Sequence, residues 1–419
     1  MTAPEFTIVF ITVVLLTTLA KLWLARRHLA HIAAHRDTVP EAFRTKIPLT
    51  DHQKAADYTS AKTRFDLLGI LFDAILLLAF TLGGGIQFIA SLCNDWFSGP
   101  LIQGLTAIVA VLLLSSLLEI PLNLYRTFRI EARFGFNKMT LKLYLLDTLK
   151  SLLIGLILGL PLLAGVLWLM ERMGAYWWLY VWLVWVTFNL LILFIYPTFI
   201  APMFNKFTPL QDEVMKARIE ALLHKCGFAA KGLFVMDGSR RSTHGNAYFT
   251  GFGKTKRIVF FDTLLERLSI NEVEAVLAHE LGHFKHHHVM KRIVATFVLS
   301  LGFLWLLDQL MHTAWFYQGL GVTTPSTALA LLLFFLIIPV FSFLLSPLMS
   351  ALSRRHEFEA DAYASKQTVA ADLVNALVKL YQDNASTLTP DPLYSIFYDS
   401  HPPAAERIAH LQEGGMQAS

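Results

Sequence analysis

Long apolar segments recur along this 419-residue chain, and they constrain its fold more than any other feature. Each approaches or exceeds the roughly 20 residues that a helix needs to cross the hydrocarbon core of a bilayer. The composition agrees, since 55% of the residues are hydrophobic and only 16% are charged. The sequence therefore predicts a mainly α-helical, multi-pass membrane protein with seven transmembrane helices. The runs lie at about 6–24, 67–92, 101–123, 151–170, 176–200, 292–312 and 326–349.

Basic residues are distributed unevenly between the loops that join these runs. Short loops rich in lysine and arginine stay on the cytoplasmic side of a membrane. We therefore expect the N-terminus outside, and the region 204–290 and the C-terminus in the cytoplasm. Nine basic residues lie in 21–66 and six in 124–150, but only one lies in the three loops at 93–100, 171–175 and 313–325.

Several polar residues and three consecutive glycines lie in or beside the apolar runs. Carboxylates are costly in lipid and face a bundle interior or water. They therefore indicate either a hydrated cavity between the helices or a few inter-helical hydrogen bonds, and the sequence leaves both open. The glycines permit a kink or close packing. These residues are Asp66, Asp73, Glu119, Asn189 and Asp308, and Gly83-Gly84-Gly85.

A polar segment between the fifth and sixth runs contains an HExxH pattern, with histidines at His279 and His283. Positions i and i+4 of a helix share one face, so both imidazoles can reach one zinc ion at about 2.0–2.1 Å. Glu280 is then placed to contact a water molecule at the metal rather than the metal itself. The flanking sequence favours a helix with Asn271 as its N-cap. The alternative is a polar helix that carries histidines by chance.

A zinc hydrolase needs a third protein ligand and an open fourth position. Glu357 is the candidate ligand, and Asp361, one helical turn further on, can accept a hydrogen bond from the outer nitrogen of a ligand histidine. The alternative is a charged segment at the membrane exit, in which Glu357 pairs with an arginine. The charge pattern places Glu357 on the same side of the membrane as HExxH, which favours the metal site.

The region 204–290 also contains helix and strand patterns. Residues 212–226 have the apolar spacing of an amphipathic helix. Residues 232–236 and 257–261 are typical of strands, and 242–250 is a further candidate. An edge strand here could pair with an extended peptide substrate by β-augmentation, whereas an ordinary core strand is the alternative.

We therefore expect four successive parts of the chain. The division separates two membrane parts from two cytoplasmic parts, of which the first is a small α+β zinc-peptidase domain. The parts are transmembrane helices 1–5 in 1–203, the peptidase region in 204–291, transmembrane helices 6 and 7 in 292–350, and a C-terminal part with the third zinc ligand in 351–419.

Several motifs, taken in order, resemble those of the type I CAAX prenyl proteases, which are integral-membrane zinc metallopeptidases of the gluzincin kind. So many motifs in one order are specific, whereas HExxH alone is not. The resemblance rests on residues 130–140, 196–210, 237–239, 246–249 and 261–265, on HExxH, on 353–355 with Glu357 and Asp361, on 391–394, and on 400–403 with Arg407.

This resemblance implies seven transmembrane helices around a water-filled chamber, with the zinc domain on its cytoplasmic side. It implies one zinc ion per chain and hydrolysis of peptide bonds in membrane-associated or CAAX-type substrates, whose C-termini are prenylated. It also places His401 and Arg407 at the active site as oxyanion donors, although a structural C-terminal cluster is the alternative. The expected partners are a peptide or protein substrate and the lipid bilayer, and no nucleic acid.

The resemblance further places the peptide substrate on the motif of Asn246, Ala247 and Tyr248. Zinc held by His279, His283 and Glu357 is expected to activate a water molecule, and Glu280 to accept its proton.

Two other functions compete with a CAAX-directed protease. One is a protease of general membrane-protein quality control, as in bacterial relatives; short outer loops and the lack of an ER-retention ending favour a bacterial inner membrane. The other is a transporter or channel with a structural zinc, although structural sites usually have four ligands rich in cysteine. The run His286-His287-His288 could suggest a second metal, but a polar helix end beside the membrane is the favoured interpretation.

Overall fold

The structure, a computed structural model, describes residues 1–250 and 257–417. Helices dominate it, and the helical elements are numbered here in chain order. They are α1 (Ala3–His35), α2 (Leu49–Phe80), α3 (Gly85–Trp96), α4 (Pro100–Tyr125), α5 (Leu141–Arg172), α6 (Trp177–Ile195), α7 (Ala201–Phe204), α8 (Glu213–Lys225), α9 (Asp262–Leu265), α10 (Ile270–Lys285), α11 (His288–Met311), α12 (Ala314–Gln318), α13 (Thr327–Ser342), α14 (Ser346–Gln367), α15 (Ala370–Asp383), α16 (Pro392–Tyr398) and α17 (Ala404–Gln417). The strands are β1 (Phe207–Pro209), β2 (Gly232–Met236), β3 (Ala247–Thr250) and β4 (Arg257–Phe261).

Six helical segments within the described residues are long and apolar enough to cross a bilayer, and a bent pair makes a seventh. The pair is α2 with α3, whose axes differ by 48°. The predicted fold class, a mainly α-helical multi-pass membrane protein with a small sheet-containing domain, is therefore confirmed. The six segments are Ala3–His35, Pro100–Glu131, Leu141–Arg172, Gly174–Phe204, His288–Met311 and Thr327–Gln367.

The bend between α2 and α3 lies at the glycine cluster inside the second predicted run. Gly84 has φ +78°, a left-handed conformation that a residue without Cβ adopts at little cost. A Cβ at Gly83 would lie 2.7 Å from the carbonyl oxygen of Ala79. The run at 67–92, predicted as one span, therefore consists of the end of a longer helix and a second, tilted helix.

The membrane helices expose many large apolar side chains on their outer faces. Water would disfavour such a surface, whereas the hydrocarbon core of a bilayer accommodates it. A separate apolar core holds the helices together on the inside, and it includes the fully buried Phe10, Val111, Phe316 and Phe334. Exposed examples are Leu15, Leu19, Ile75, Leu117, Ile157 and Phe194.

The peptidase region contains a four-stranded sheet with the order β1-β2-β4-β3. The central strands β2 and β4 are parallel, and both outer strands are antiparallel to their neighbours. β3 is therefore an edge strand among the described residues, and it begins later than the predicted strand at 242–250. Helices α8, α10, α15 and α17 share one apolar core with the sheet, and it includes the buried residues Ile219, Phe260 and Val273.

Helix α10 begins at Ile270 rather than after Asn271. Ser269 is the N-cap, and it forms a capping box in which Glu272 bonds back to its backbone N–H. The expectation of Asn271 as the N-cap was therefore wrong. The side chain of Asn271 instead accepts a hydrogen bond from Arg218 at 3.1 Å.

Helices α13 and α14 form one helical segment of 41 residues, joined by a tighter turn at Phe343–Leu345. The division proposed at residue 350 falls inside this segment. The helix that crosses the membrane therefore continues into the peptidase region and carries Glu357 into the site.

Candidate metal centre and its chamber

Two helices meet closely to form the centre. Gly282 on α10 faces Ala360 on α14, and a Cβ on Gly282 would lie 2.8 Å from the Cα of Ala360. Ala360 itself is fully buried. The small residues let the two backbones approach, so that His279 and His283, on either side of Gly282, converge with Glu357, one turn before Ala360. Glycine at this HExxH position therefore has a packing role.

Three potential metal ligands converge at this contact. Nε2 of His279 lies 3.2 Å from Nε2 of His283 and 3.4 Å from Oε2 of Glu357. Nε2 of His283 lies 3.4 Å from Oε1 of Glu357. Ligand atoms around a tetrahedral zinc at about 2.0–2.1 Å would be about 3.3–3.4 Å apart. Two imidazoles and one carboxylate at this spacing fit one metal ion.

The electrostatics of the centre also favour a cation. Burial alone would lower the pKa of His279, but the neighbouring carboxylates of Asp361 and Glu357 outweigh this effect and raise the pKa to about 9. Oε2 of Glu357 is buried, makes no hydrogen bond within the described residues, and lies 3.6 Å from Nη1 of Arg407. A buried carboxylate oxygen without a donor is costly unless a cation lies beside it. The donor set therefore fits a metal.

Nδ1 of His279, the ring nitrogen that points away from the other two candidate ligands, contacts a buried ion pair. Its Nδ1 lies 2.7 Å from Oδ1 of Asp361, whose side chain is fully buried. Arg407 on α17 donates to both oxygens of that carboxylate, at 2.8 Å from Nε and 2.6 Å from Nη2. The one-turn spacing from Glu357 predicted Asp361 for this role, whereas no sequence pattern connected Arg407 to Asp361.

The outer nitrogen of His283 meets a different group, which sequence analysis missed. Its Nδ1 lies 3.0 Å from Nδ1 of His288, and Nε2 of His288 lies 2.9 Å from Oε2 of Glu359. Arg355 donates to the other oxygen of Glu359 at 3.0 Å. The run of three histidines was the available signal. His288 does lie at a helix end beside the membrane, as the first residue of α11, but its side chain is fully buried.

Glu280 follows His279 on α10 and is half-buried. Within the described parts of the chain its carboxylate makes no hydrogen bond or ion pair. A carboxylate next to the ligand cluster and free of partners can accept a proton from a nearby water molecule.

A cavity of about 710 Å³ adjoins the centre between the membrane helices and the peptidase region. His401 lines it, with Nε2 3.5 Å from Oε1 of Glu357, and so does Asn246 at the start of β3. Tyr248 lines a separate cavity beside Pro197 and Pro202, and Ala247 packs against the domain core. The structure thus brings His401 and Asn246 to the chamber but turns the side chain of Tyr248 away. Other lining residues include His28, Tyr58, Tyr381 and Tyr394.

The carboxylates in the membrane helices were expected either to line a hydrated cavity or to form inter-helical hydrogen bonds, and the structure shows one example of each. Asp66 lines the chamber and pairs with Arg126. Asp308 instead accepts a hydrogen bond from Nε1 of Trp177 at 2.6 Å, between two helices. Both a polar cavity and inter-helical hydrogen bonding therefore occur in this bundle.

Two protein-family models match consecutive parts of the chain. Residues 28–206 match the CAAX prenyl protease N-terminal family, described as five membrane helices, and residues 209–414 match peptidase family M48. The change from one family to the next lies close to residue 204, where the peptidase region was expected to begin.

Curated relatives and a solved structure match over nearly the whole chain. CAAX prenyl protease 1 homolog of Arabidopsis thaliana is 35% identical over 88% of this chain and 89% of that protein. CAAX prenyl protease 1 of Saccharomyces cerevisiae is 34% identical over 89% of this chain and 88% of that protein. A crystal structure of S. mikatae Ste24p matches with a TM-score of 0.91 and 30% identity, covering 97% of this chain and 99% of that one.

These matches account for the combination of α10 and α14, which carry the candidate ligands, with a chamber that adjoins the membrane helices. Family M48 is a peptidase family, and its members use a metal. A transporter with a structural metal is therefore not supported. The chain belongs to peptidase family M48, in the CAAX prenyl protease group, and is a multi-pass membrane metalloprotease.

Proposed function

We propose that this protein is a zinc endopeptidase that holds one zinc ion per chain with His279, His283 and Glu357. The convergence of these three side chains at tetrahedral spacing carries the proposal. Two imidazoles and one carboxylate form a ligand set typical of catalytic zinc, and a fourth position remains for water or substrate.

The surrounding residues provide the proton transfers of peptide hydrolysis. A bound zinc ion supplies Lewis acidity, which polarises the scissile carbonyl and acidifies the attacking water. Glu280 accepts a proton from that water as its oxygen bonds to the carbonyl carbon. As the C–N bond breaks, Glu280 returns the proton to the leaving amine.

The two residues expected as oxyanion donors have different surroundings. His401 lines the chamber, and its Nε2 lies 3.5 Å from Oε1 of Glu357. The buried guanidinium of Arg407 already donates to both oxygens of Asp361. We therefore assign oxyanion stabilisation to His401, and we assign Arg407 to holding Asp361 against His279.

The chamber and the edge strand suit an extended peptide that enters from the membrane. β3 has a free edge within the described residues, so a substrate backbone can pair with it by β-augmentation. Asn246 at its start would contact the peptide, while Ala247 and Tyr248 would contribute mainly their backbone. The names of the relatives favour a prenylated CAAX-type C-terminus as the substrate.

A fluorescence-quenched CAAX peptide in farnesylated and unmodified forms tests this substrate. We expect the purified protein to cleave the farnesylated form faster, a chelator to stop cleavage, and zinc to restore it. Equal rates on both peptides would favour the quality-control alternative. No cleavage of either peptide by zinc-loaded protein would contradict the proposal.

We propose that the centre faces the cytoplasm, on the basis of the basic loops. The exposed positions Thr50 and Gln318 test this, because the proposed orientation places them on opposite sides. In a background without Cys93 and Cys226, Gln318→Cys should react with an impermeant thiol reagent outside intact cells, and Thr50→Cys should not. The reverse pattern would invert the orientation. The bacterial inner membrane stays a prediction, since the relatives named above come from a plant and a yeast.

A further inference from the structure

A buried histidine outside the proposed ligand set touches one of the proposed ligands. His288 begins α11, five residues after His283, and its side chain has no exposed surface. Both of its ring nitrogens have partners, Nδ1 of His283 on one side and the carboxylate of Glu359 on the other. We propose that His288 and Glu359 are positioning residues that hold His283 in the tautomer and orientation that bind the metal. This inference rests on the proposed function, which makes His283 a ligand.

The direction of the hydrogen bonds follows from the chemistry of the groups. The carboxylate of Glu359 accepts, so Nε2 of His288 carries a proton and donates it. In the neutral imidazole the other nitrogen, Nδ1, then has a free lone pair and must accept. His283 therefore donates from its own Nδ1, and its Nε2 retains the lone pair that faces His279 and Glu357. A carboxylate two residues from a proposed ligand thus determines which nitrogen of His283 can bind a metal.

The backbone places His288 for this contact through an uncommon turn. His287, between α10 and α11, has φ 57° and ψ 29°, in the left-handed region. Non-glycine residues adopt this conformation in only a few per cent of cases, although histidine is among the more tolerant residues. The turn returns the chain toward α10, so that the ring at 288 lies against the ring at 283. The connection therefore has a geometric consequence at the metal centre.

Packing fixes the plane of the His288 ring. The ring of His356 stacks on it with centroids 4.0 Å apart and an interplanar angle of 11°. The ring of His286 lies on it at 5.5 Å and 15°. An imidazole held in such a stack keeps its hydrogen-bonding nitrogens aimed at His283 and Glu359, whereas a freely rotating ring would not.

A buried structural histidine is the competing explanation, and metal affinity separates the two. His288→Phe keeps an aromatic ring in the stack but removes both hydrogen bonds. His286→Phe makes the same change in the next ring of the stack, and neither His286 nitrogen bonds to a proposed ligand. The two variants therefore form a matched pair.

The experiment measures the zinc dissociation constant of the full-length protein in detergent by competition with a chelator. We expect His288→Phe to weaken zinc binding about 10–100-fold, the usual cost of losing a partner of a ligand histidine, and His286→Phe to bind like the wild type. The visible spectrum of the cobalt-loaded protein should change in His288→Phe only. His288→Asn, whose Oδ1 can replace the Nδ1 acceptor, should recover part of the affinity.

Folded His288→Phe with wild-type zinc affinity and an unchanged cobalt spectrum would overturn the proposal. If His288→Phe does not fold, the smaller variants His288→Ala and Glu359→Ala decide, because each removes a hydrogen-bond acceptor from the series that links His283 to Glu359. Wild-type affinity in both of these variants would equally overturn it. Failure of the proposed function would look different: the wild type would bind no zinc, or His283→Ala would retain it.

Discussion

His279 and His283 leave α10 on the same face, one turn apart, but their outer nitrogens meet different surroundings. His279 donates directly to Asp361, which is fully buried and held by the buried Arg407. The outer nitrogen of His283 reaches a carboxylate only through His288, and that carboxylate, on Glu359, is 30% exposed. The first arrangement belongs to the domain core, whereas the second lies where the peptidase region joins the membrane.

The groups that hold the two histidines differ in what they contribute: one stabilises the fold as well as the ligand, and the other acts mainly on the ligand. The buried pair of Asp361 and Arg407 joins α14 to α17, so it contributes to folding as well as to ligand orientation. The pair of Glu359 and Arg355 is partly in water, where an ion pair contributes only about 0–1 kcal/mol. The group at His283 therefore acts mainly on the ligand and little on global stability.

We expect the largest effect from replacing Glu357, the proposed ligand whose carboxylate faces both histidines. Glu357→Ala removes the carboxylate that faces both Nε2 atoms, and it leaves two ligands, too few for tight zinc binding. We expect loss of nearly all zinc and of peptide hydrolysis, measured by elemental analysis and turnover on one preparation. Full zinc content in this variant would assign the third ligand elsewhere.

The next effect separates chemistry from metal binding. Glu280→Gln leaves the groups that hold the two histidines and all three proposed ligands intact, but an amide cannot accept a proton from water. We expect turnover to fall about 10²–10⁴-fold. Zinc content and thermal stability should stay at the wild-type level, and the variant should still bind peptide. Near-normal turnover with full zinc would mean that another residue is the base.

The smallest expected effect concerns the carboxylates that hold the two histidines, Asp361 and Glu359, each replaced by its own amide. Asp361→Asn removes the charge that the buried Arg407 pairs with most closely and leaves it only Glu357, at 3.6 Å. This should destabilise the metal-free protein by about 3–5 kcal/mol. Glu359→Gln should change the same quantity by less than about 1 kcal/mol. Thermal unfolding of both chelator-treated variants provides the measurement. Equal losses of stability would show that Asp361 and Glu359 contribute equally to folding.

Much of this protein follows from local sequence patterns. The apolar runs predict the membrane helices because the length and polarity of a span depend on its own residues. The i, i+4 spacing in HExxH places His279 and His283 on one face of any α-helix that contains them. The need for a third ligand on the same side of the membrane as HExxH pointed to Glu357, with Asp361 one helical turn further on. The family motifs then agreed with this choice.

Only the tertiary structure decided how the histidines are supported. The contact between His288 and Glu359 joins residues 71 positions apart, and it depends on the left-handed turn at His287 and on the close approach of Gly282 to Ala360. Likewise, Arg407 reaches Asp361 only because α17 packs against α14. Periodicity determines which face of a helix a side chain occupies, but the packing of helices determines which side chain lies opposite it.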